Sequence, residues 1–270
     1  MLDSKFTNEV FLTFRDFIHK NYGIYYADVK KDLLSIKLKR CLIKSGLSSY
    51  DEYFKLICSD DSCDCSIHFV DEITVNKTGF FREMEHYDFI RSKIDYIYSS
   101  NANIVKNKEI KVWSMACSTG QEPYTIAMVL NETMPQTFKK KILATDVSSK
   151  VLKVSKEGMY PKDIKNEIEP LYLEKYFLKF ENHYKLREEI KDLITFRQFN
   201  LMKPFPFSGE FDIIFCRNVM IYFNLETQKQ LLEKIYNCLA PGGLLIIGQA
   251  ESILNKNHNF RHIASTIYIK

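Results

Sequence analysis

The sequence predicts an α/β domain built on a mostly parallel sheet, preceded by a small all-helical domain. Predicted strands alternate with predicted helices from about residue 108 onward, which is the pattern of a parallel sheet covered on both faces. The first 75 residues instead carry apolar side chains every three to four positions, as amphipathic helices do. We therefore place the helical domain at residues 1–75, an interdomain linker with a helix at 76–107, and the α/β domain at 108–270.

Four helices account for the first domain. The apolar residues Phe6, Val10 and Phe14 define the first helix, which should end near Gly23. A second helix is expected at about 28–44, with an apolar face formed by Leu34, Leu38, Cys41 and Leu42. Ser48 or Ser49 would cap a third helix. The apolar spacing of Ile67, Phe69, Val70 and Ile73 indicates a fourth.

The second domain reads as alternating strands and helices. Strands are predicted at 111–115, 141–145, 193–199, 211–216, 244–248 and 265–270. Helices are predicted at 122–130, 148–156 and 224–239. Pro123 lies in the first turn of its helix, where a missing N–H costs little.

Composition excludes several classes of protein. With 46% hydrophobic and 27% charged residues among 270, the chain can form a core, which excludes wholesale disorder. The net charge of +4 is too mild for a dedicated nucleic-acid binder. The start MLDSKFTNEVFLTF does not have the pattern of a signal peptide, and no apolar run is long enough to span a bilayer. We expect a soluble, cytoplasmic monomer with no direct membrane insertion.

The seven cysteines favour free thiols over disulfides, because their number is odd and no secretion signal is evident. Cys58, Cys63, Cys65 and His68 form the one candidate metal cluster. A single residue separates Cys63 from Cys65, whereas zinc knuckles use a two-residue spacer. We therefore predict reduced thiols and no metal.

The carboxyl ends of parallel strands are where such sheets bind ligands. After the first strand, small residues from Ala116 to Gly120 would let a ligand approach the backbone, and the next helix would offer its N–H groups. The turn lacks the glycine pattern of a dinucleotide site, and Glu122 would repel a pyrophosphate. A cationic or hydroxyl-bearing ligand fits better, although a plain strand–helix turn is the alternative.

The other strand ends carry polar side chains in the same way. Asp146 could accept hydrogen bonds from both hydroxyls of a ribose, or could be a helix N-cap. An amide beside an apolar side chain, suitable for adenine, comes from Asn200 and Leu201. The fourth strand is followed by a charged side chain, an amide and a phenol, from Arg217, Asn218 and Tyr222. Their alternative role is to form hydrogen bonds with buried backbone groups of the loop. Several such ends in one sheet predict a nucleoside-binding site.

Five segments then occur in order at suitable distances: 76–83 (NKTGFFRE), 113–127 (WSMACSTGQEPYTIA), 144–146 (ATD), 211–223 (FDIIFCRNVMIYF) and 241–243 (PGG). With them, essentially the whole chain resembles the bacterial chemotaxis receptor methyltransferases. These enzymes use S-adenosylmethionine to methylate glutamate side chains on the cytoplasmic helices of chemoreceptors. The resemblance implies a Rossmann-like class I methyltransferase domain with a small β-subdomain inserted at about 158–197, which in some members docks a peptide from the receptor C-terminus.

The resemblance also implies roles for individual residues. Arg82 and Tyr222 would lie closest to the transferred methyl group. Eleven residues are expected to bind S-adenosylmethionine: Asn76, Thr78, Arg82, Ala116, Gly120, Glu122, Asp146, Asn200, Leu201, Arg217 and Asn218. The chain departs from the family at Gln121, where glutamate is usual, and at Gln249–Ala250, where a His-Ser pair is usual. The loss of negative charge at Gln121 would weaken cofactor binding.

One face of the second helix is basic, with Lys30, Lys37, Arg40 and Lys44 on one arc. A basic arc is often only a solvated face. The corresponding family helix faces the acidic methylation helices of the receptor, so these residues are expected to recognise the receptor by charge. Two alternatives stay open: a methyltransferase acting on another acceptor, such as an RNA or a protein amine, and a sensor that binds S-adenosylmethionine without turnover.

Overall fold

The helical domain comes first in the computed structural model, which describes residues 5–59, 63–207, 211–253 and 258–270. Its helices are α1 Asn8–Tyr22, α2 Lys31–Ser45, α3 Tyr50–Ser59 and α4 Asp64–Ile73. The Thr7 side chain accepts the Val10 N–H at the start of α1, and Gly23 ends that helix in the left-handed conformation (φ 74°). A 3₁₀ turn, Asp28–Lys30, leads directly into α2.

Gly23 also marks where the helical domain meets the α/β domain. A Cβ atom added at Gly23 would lie 2.5 Å from Sδ of Met202, so the two domains pack tightly at this point. Ile24 forms an isolated antiparallel bridge with Phe223. The Tyr25 N–H donates to the Tyr222 carbonyl at 2.8 Å. The helical domain is therefore joined directly to the loop that carries Tyr222.

Two helices connect the domains, α5 Glu85–Ser100 and α6 Ala102–Asn107. The apolar face of α5 contributes Ile90 and Ile94 to the large core under the sheet. That core also takes in Ile126 and Leu130 from the helix after the first strand. The connecting segment is thus an integral layer of the α/β domain.

A seven-stranded sheet in the order β6-β2-β1-β7-β8-β10-β9 forms the centre of the second domain. Its strands are β1 Glu109–Met115, β2 Lys139–Asp146, β6 Ile194–Gln198, β7 Phe211–Cys216, β8 Leu239–Ile247, β9 Arg261–Ala264 and β10 Ile267–Ile269. The first five in the spatial order are parallel, and β10 and β9 are antiparallel. Its main helices are α7 Gln121–Thr133, α8 Ser149–Glu157 and α11 Leu225–Cys238. The predicted fold class is confirmed.

A separate three-stranded antiparallel sheet lies between α8 and β6 in the chain. It contains β3 Met159–Pro161, β4 Phe177–Lys179 and β5 His183–Leu186, with the short helices α9 Pro170–Tyr176 and α10 Glu188–Lys191. The interval of 158–197 expected for this insert also covers most of β6. That strand pairs in parallel with β2 and lies in the large sheet.

The C-terminal strands differ from the sequence prediction in two details. β8 begins at Leu239, several residues before the predicted start, because the register with β7 shifts between Phe211 and Ile213 and accommodates the turn residues. The strand predicted at 265–270 is β10, and it pairs with β9, a preceding strand that the sequence did not predict. No helix in the described part of the chain has the length and apolar character needed to cross a membrane.

Candidate functional site

A cavity opens at the carboxyl ends of β1, β2 and β7, where the helical domain covers the sheet edge. Tyr22 and Ile24 line it from the helical domain, and the segment from Ile73 to Gly79 lines it between the domains. The predicted site residues that line it are Asn76, Thr78, Arg82, Ala116, Glu122, Asp146, Asn200, Leu201, Arg217, Asn218 and Tyr222. The structure therefore brings together almost all of the predicted residues, from segments far apart in the chain.

The turn after β1 is held by the carboxylate at the end of β2. Both Ala116 (φ 52°) and Ser118 (φ 50°) adopt the left-handed conformation, which side chains other than glycine rarely adopt. The carboxylate of Asp146 accepts the N–H of Ser118 and the N–H of Ser148, each at 2.9 Å. Burial raises the pKa of Asp146, and these hydrogen bonds oppose that effect. The backbone of the turn after β1 and the Asp146 carboxylate therefore lie side by side in the cavity lining.

Arg217 lies at the centre of the polar residues beneath the cavity. Its guanidinium is buried and donates to Glu122 at 2.9 Å, to Glu83 at 3.2 Å and to the Tyr87 hydroxyl at 3.0 Å. It also donates to the backbone carbonyl of Arg82. One cation therefore ties together β7, α7 and the segment between the domains.

The two carboxylates around Arg217 differ in their environment. Burial raises the pKa of Glu122, although the Arg217 charge and the Ser114 hydroxyl at 2.7 Å act against burial. Burial also acts to raise the pKa of Glu83, but Arg217 and a hydrogen bond from Asn218 outweigh it, so this pKa is lowered. Two carboxyl groups share one guanidinium here, so the cluster offers acidic oxygens that suit a cationic ligand.

The loop after β7 delivers Asn218 and Tyr222 to the cavity. Asn218 is left-handed (φ 56°), and a 3₁₀ turn, Met220–Tyr222, follows it. Burial raises the pKa of Tyr222, and the charge of Arg82 acts in the opposite direction, so the phenol and the guanidinium are electrostatic neighbours. The Arg82 guanidinium donates to the Lys77 carbonyl at 2.9 Å. The two residues expected nearest the transferred methyl therefore lie in one cavity.

Two predicted residues have contacts that the sequence did not indicate. The Asn200 amide donates to the Asn21 carbonyl of the helical domain at 2.7 Å and accepts the Met202 N–H. Both of these hydrogen bonds are to backbone groups of the protein. Gly120 is absent from the described cavity lining. A Cβ atom there would lie 2.7 Å from the Ser155 Cβ, and φ is 94°, so Gly120 permits close packing of α7 on α8.

Comparisons with known proteins assign the chain to a family. A family model described as the CheR methyltransferase SAM-binding domain matches residues 76–269, and one described as the CheR methyltransferase all-alpha domain matches residues 9–74. The chain belongs to the CheR methyltransferase family. The matched model confirms the predicted cofactor, S-adenosylmethionine.

Curated relatives of this CheR family chain match it over most of its length. The chemotaxis protein methyltransferase of Borreliella burgdorferi is 39% identical, over 94% of this chain and 91% of the relative. The chemotaxis protein methyltransferase of Escherichia coli is 33% identical, over 93% and 87%. Among solved structures, the glycopeptide N-methyltransferase MtfA complexed with S-adenosylmethionine covers 51% of this chain and 43% of its own, with 14% identity and a TM-score of 0.34. That structural likeness is too low to support an argument.

The basic residues of α2 are less open than their spacing predicted. Lys37 is half-buried, and its ammonium donates to the Glu72 carbonyl and, at 3.5 Å, to the Thr74 carbonyl, at the end of α4. Arg40 pairs with the Glu72 carboxylate at 3.7 Å, and Lys44 lies 3.1 Å from Nδ1 of His68. Lys30, Arg40 and Lys44 remain exposed. Lys37 therefore fixes α2 to α4, and the other three are open to a partner.

Several functional residues were missed by sequence reasoning. Glu83 and Tyr87 hold Arg217, and Ile24 closes the cavity through its bridge to Phe223. Ser118 donates to the Asn76 carbonyl at 2.9 Å and so attaches the interdomain segment to the turn after β1. The left-handed conformation of Glu83 (φ 58°) is a structural signal that sequence periodicity does not carry. In the described part of the chain, no group of three or more His, Cys, Asp or Glu residues is placed to hold a metal ion.

Proposed function

We propose that this protein transfers the methyl group of S-adenosylmethionine to glutamate side chains on the cytoplasmic helices of chemoreceptors and forms methyl esters there. The observation that carries the proposal is the composition of the cavity. Among the described residues that line it there is no histidine, and both acidic ones, Glu122 and Asp146, are already engaged by Arg217 and by backbone N–H groups. Such a site is suited to an acceptor that needs no proton removed.

A glutamate side chain is such an acceptor. Its reference pKa is about 4.3, so it is ionised at neutral pH and can attack the methyl carbon directly. A protonated amine or a hydroxyl would first need to lose a proton, which requires a base. Carboxylate and sulfonium partly neutralise each other as they react. Catalysis then depends on alignment and on exclusion of water, which a cavity between two domains supplies.

Cofactor placement follows from the charges around the cavity. Asp146 can accept hydrogen bonds from the ribose hydroxyls with oxygen lone pairs that its backbone partners leave available. Glu122 and the acidic oxygens around Arg217 would lie near the aminoacyl end, whose ammonium is cationic. The buried Leu201 offers an apolar surface to the adenine. Ala116 and Ser118 bring main-chain groups close to the ligand.

Arg82 and Tyr222 would complete the reacting end of the cavity. Arg82 is half-buried and held by the Lys77 carbonyl, so its guanidinium has a defined position. We assign it the alignment of one carboxylate oxygen, and we assign Tyr222 the shaping of the path of the methyl group. A tight bidentate grip on the acceptor would lower its nucleophilicity, so Arg82 should orient the carboxylate with a single hydrogen bond.

The exposed side of α2 supports a helical acceptor. Three apolar residues of α2 are exposed there, Leu33 (47%), Ile36 (52%) and Ile43 (67%), with the spacing of a coiled-coil stripe, and Val29 (93%) of the preceding 3₁₀ turn extends them. We call these four residues the α2 seam. Positively charged side chains flank the seam at Lys30 and Lys44. An apolar seam with basic edges is complementary to an amphipathic helix with acidic edges.

The cellular setting belongs to the same proposal. The partner would be the cytoplasmic domain of a methyl-accepting chemoreceptor, reached from the cytoplasm at the membrane-bound receptor arrays. No step of this reaction involves a metal or a nucleic acid.

The test uses methyl-tritiated S-adenosylmethionine with membranes that contain the organism's own chemoreceptors, followed by mild alkali. Methyl esters hydrolyse in alkali and release volatile tritiated methanol, whereas methylated amines survive. Volatile label would support the proposal. Alkali-stable label would indicate a different acceptor, and tight cofactor binding without transfer would favour the sensor alternative.

A further inference from the structure

Glu251, just after β8, is a buried carboxylate that accepts four backbone hydrogen bonds. One oxygen accepts the N–H groups of Val219 (3.0 Å) and Met220 (2.7 Å). The other accepts those of Asn218 (2.9 Å) and Gly248 (2.7 Å). Only 7% of the residue is exposed. These bonds are the charge-assisted kind, which are stronger than bonds between neutral groups.

The loop that Glu251 holds is the one that enters the cavity. Asn218, Val219 and Tyr222 all line it, and three consecutive N–H groups of this loop point to a single carboxylate. Without that acceptor, these donors would be left unpaired in a buried region. The left-handed conformation of Asn218 (φ 56°) also needs support from its surroundings.

Gly248 shows how closely the two loops approach. A Cβ atom there would lie 2.6 Å from the Asn218 side-chain nitrogen, 2.9 Å from the Asn218 backbone nitrogen and 2.9 Å from a Glu251 oxygen. Nothing larger than glycine fits without displacing the loop. The Glu251 carboxylate can therefore reach the loop N–H groups only because residue 248 has no side chain.

We infer that Glu251 is a positioning residue for methyl transfer, which sets Asn218 and Tyr222 in the cavity through the main chain of their loop. It acts at a distance from the reacting atoms. The inference rests on the proposed function only for the part played by Tyr222, since the contribution to cofactor binding is independent of the acceptor.

Glu251→Gln tests this directly, because it keeps the size of the side chain but turns an NH₂ group toward backbone donors. We expect S-adenosylmethionine to bind about tenfold more weakly, or worse, and the single-turnover rate to fall by a similar factor. Asp212→Asn is the matched control. Asp212 is also a buried carboxylate (7% exposed) and accepts the Lys111 N–H at 2.7 Å and the Asn101 amide at 2.9 Å. It lies at the opposite end of β7 from the cavity.

The two variants separate positioning from stability. Both should lower the melting temperature, but only Glu251→Gln should weaken cofactor binding, as measured by calorimetry without any receptor. Equal weakening in both variants, or unchanged binding in Glu251→Gln, would overturn the inference. If Glu251→Gln does not fold, Gly248→Ala gives the same readout, because its methyl group displaces the Asn218 backbone and should weaken binding. Wild-type affinity in Gly248→Ala would contradict the inference.

Discussion

Arg217 and Glu122 form a buried ion pair, with Nη1 and Oε2 2.9 Å apart, that connects the end of β7 to the first turn of α7. Their side chains are 2% and 12% exposed. Glu83 is on the other side of the same guanidinium at 3.2 Å. The polar end of the cavity is therefore built around one cation shared by two carboxylates from different segments.

Arg217→Met should destabilise the fold strongly, because it leaves Glu122 and Glu83 buried without their counter-charge. We expect the free energy of unfolding to fall by about 3–5 kcal/mol. Adding Glu122→Gln should recover part of that loss, since one uncompensated charge is then removed. Urea unfolding measures both effects. Lys141→Met is the control and should cost less than about 1 kcal/mol, because the lysine is 63% exposed and Lys111 still pairs with its partner Glu109 at 3.8 Å. Equal costs for the two single variants would contradict this account.

His86 should make stability depend on pH. It is buried beside Thr266, with its other ring nitrogen 3.6 Å from Glu83. Burial and the Arg217 charge lower its pKa from 6.5 to about 4, although Glu83 and Glu85 act to raise it. Because the folded pKa is lower than the unfolded one, the unfolded state gains protons first as pH falls. Between pH 7.5 and pH 5 the loss of stability should reach about 2 kcal/mol.

The variant that tests this is His86→Gln. The quantity to compare between variant and wild type is the slope of the free energy of unfolding against pH. Burial raises the pKa of Asp212 to about 6, so Asp212 gives the opposite slope in the same range. That contribution is common to the wild type and the variant and cancels in the comparison. The His86→Gln variant should lose less unfolding free energy than the wild type as the pH falls from 7.5 to 5. Equal losses in the two proteins would show that His86 is not responsible.

The α2 seam should contribute to receptor binding and not to folding. Ile36→Gln with Ile43→Gln alters two residues that are 52% and 67% exposed, so stability should change little. We expect the KM for the receptor to rise about tenfold or more, while cofactor affinity stays the same. Tyr96→Gln on α5, at 63% exposure, is the matched control, because Tyr96 lies outside both the seam and the insert. A receptor KM that rises equally with the control would assign the effect to general surface polarity.

Arg82→Ala should lower the turnover number more than it lowers cofactor affinity. Alignment of a reacting carboxylate is lost in this variant, and a loss of about tenfold to a hundredfold is expected at saturating substrates. Arg91→Ala controls for loss of a nearby arginine, because Arg91 contacts Asp88 and Tyr172 and is outside the cavity lining. Weaker cofactor binding with normal turnover at saturation would refute the alignment role.

The sequence was sufficient for the parts of the site that follow from sheet geometry. The carboxyl ends of parallel strands meet at one edge, so the sequence alone predicts that Asp146 and Arg217 lie together. The end of α1 near Gly23 was predicted from the same kind of local rule and is confirmed.

Contacts between distant segments could not be predicted in this way. Glu83 and Arg217 are 134 residues apart, and no periodic pattern links them. The Asn200 amide was assigned to adenine because of its type, but its partner is the Asn21 carbonyl of another domain. The α2 seam escaped notice because apolar residues on a helix are ordinarily buried, and only the packing of α2 shows which of its two apolar stripes is exposed.

In the proposed reaction the cavity aligns an acceptor that is already ionised, and it supplies no base. Single-turnover methylation of receptor membranes, measured between about pH 6.5 and pH 9, tests this proposal most directly. We predict a methyl-transfer rate that is constant across this range, because the acceptor carboxylate is fully ionised throughout. A rate that rises tenfold per pH unit would show that a proton must leave the acceptor and would contradict the proposal.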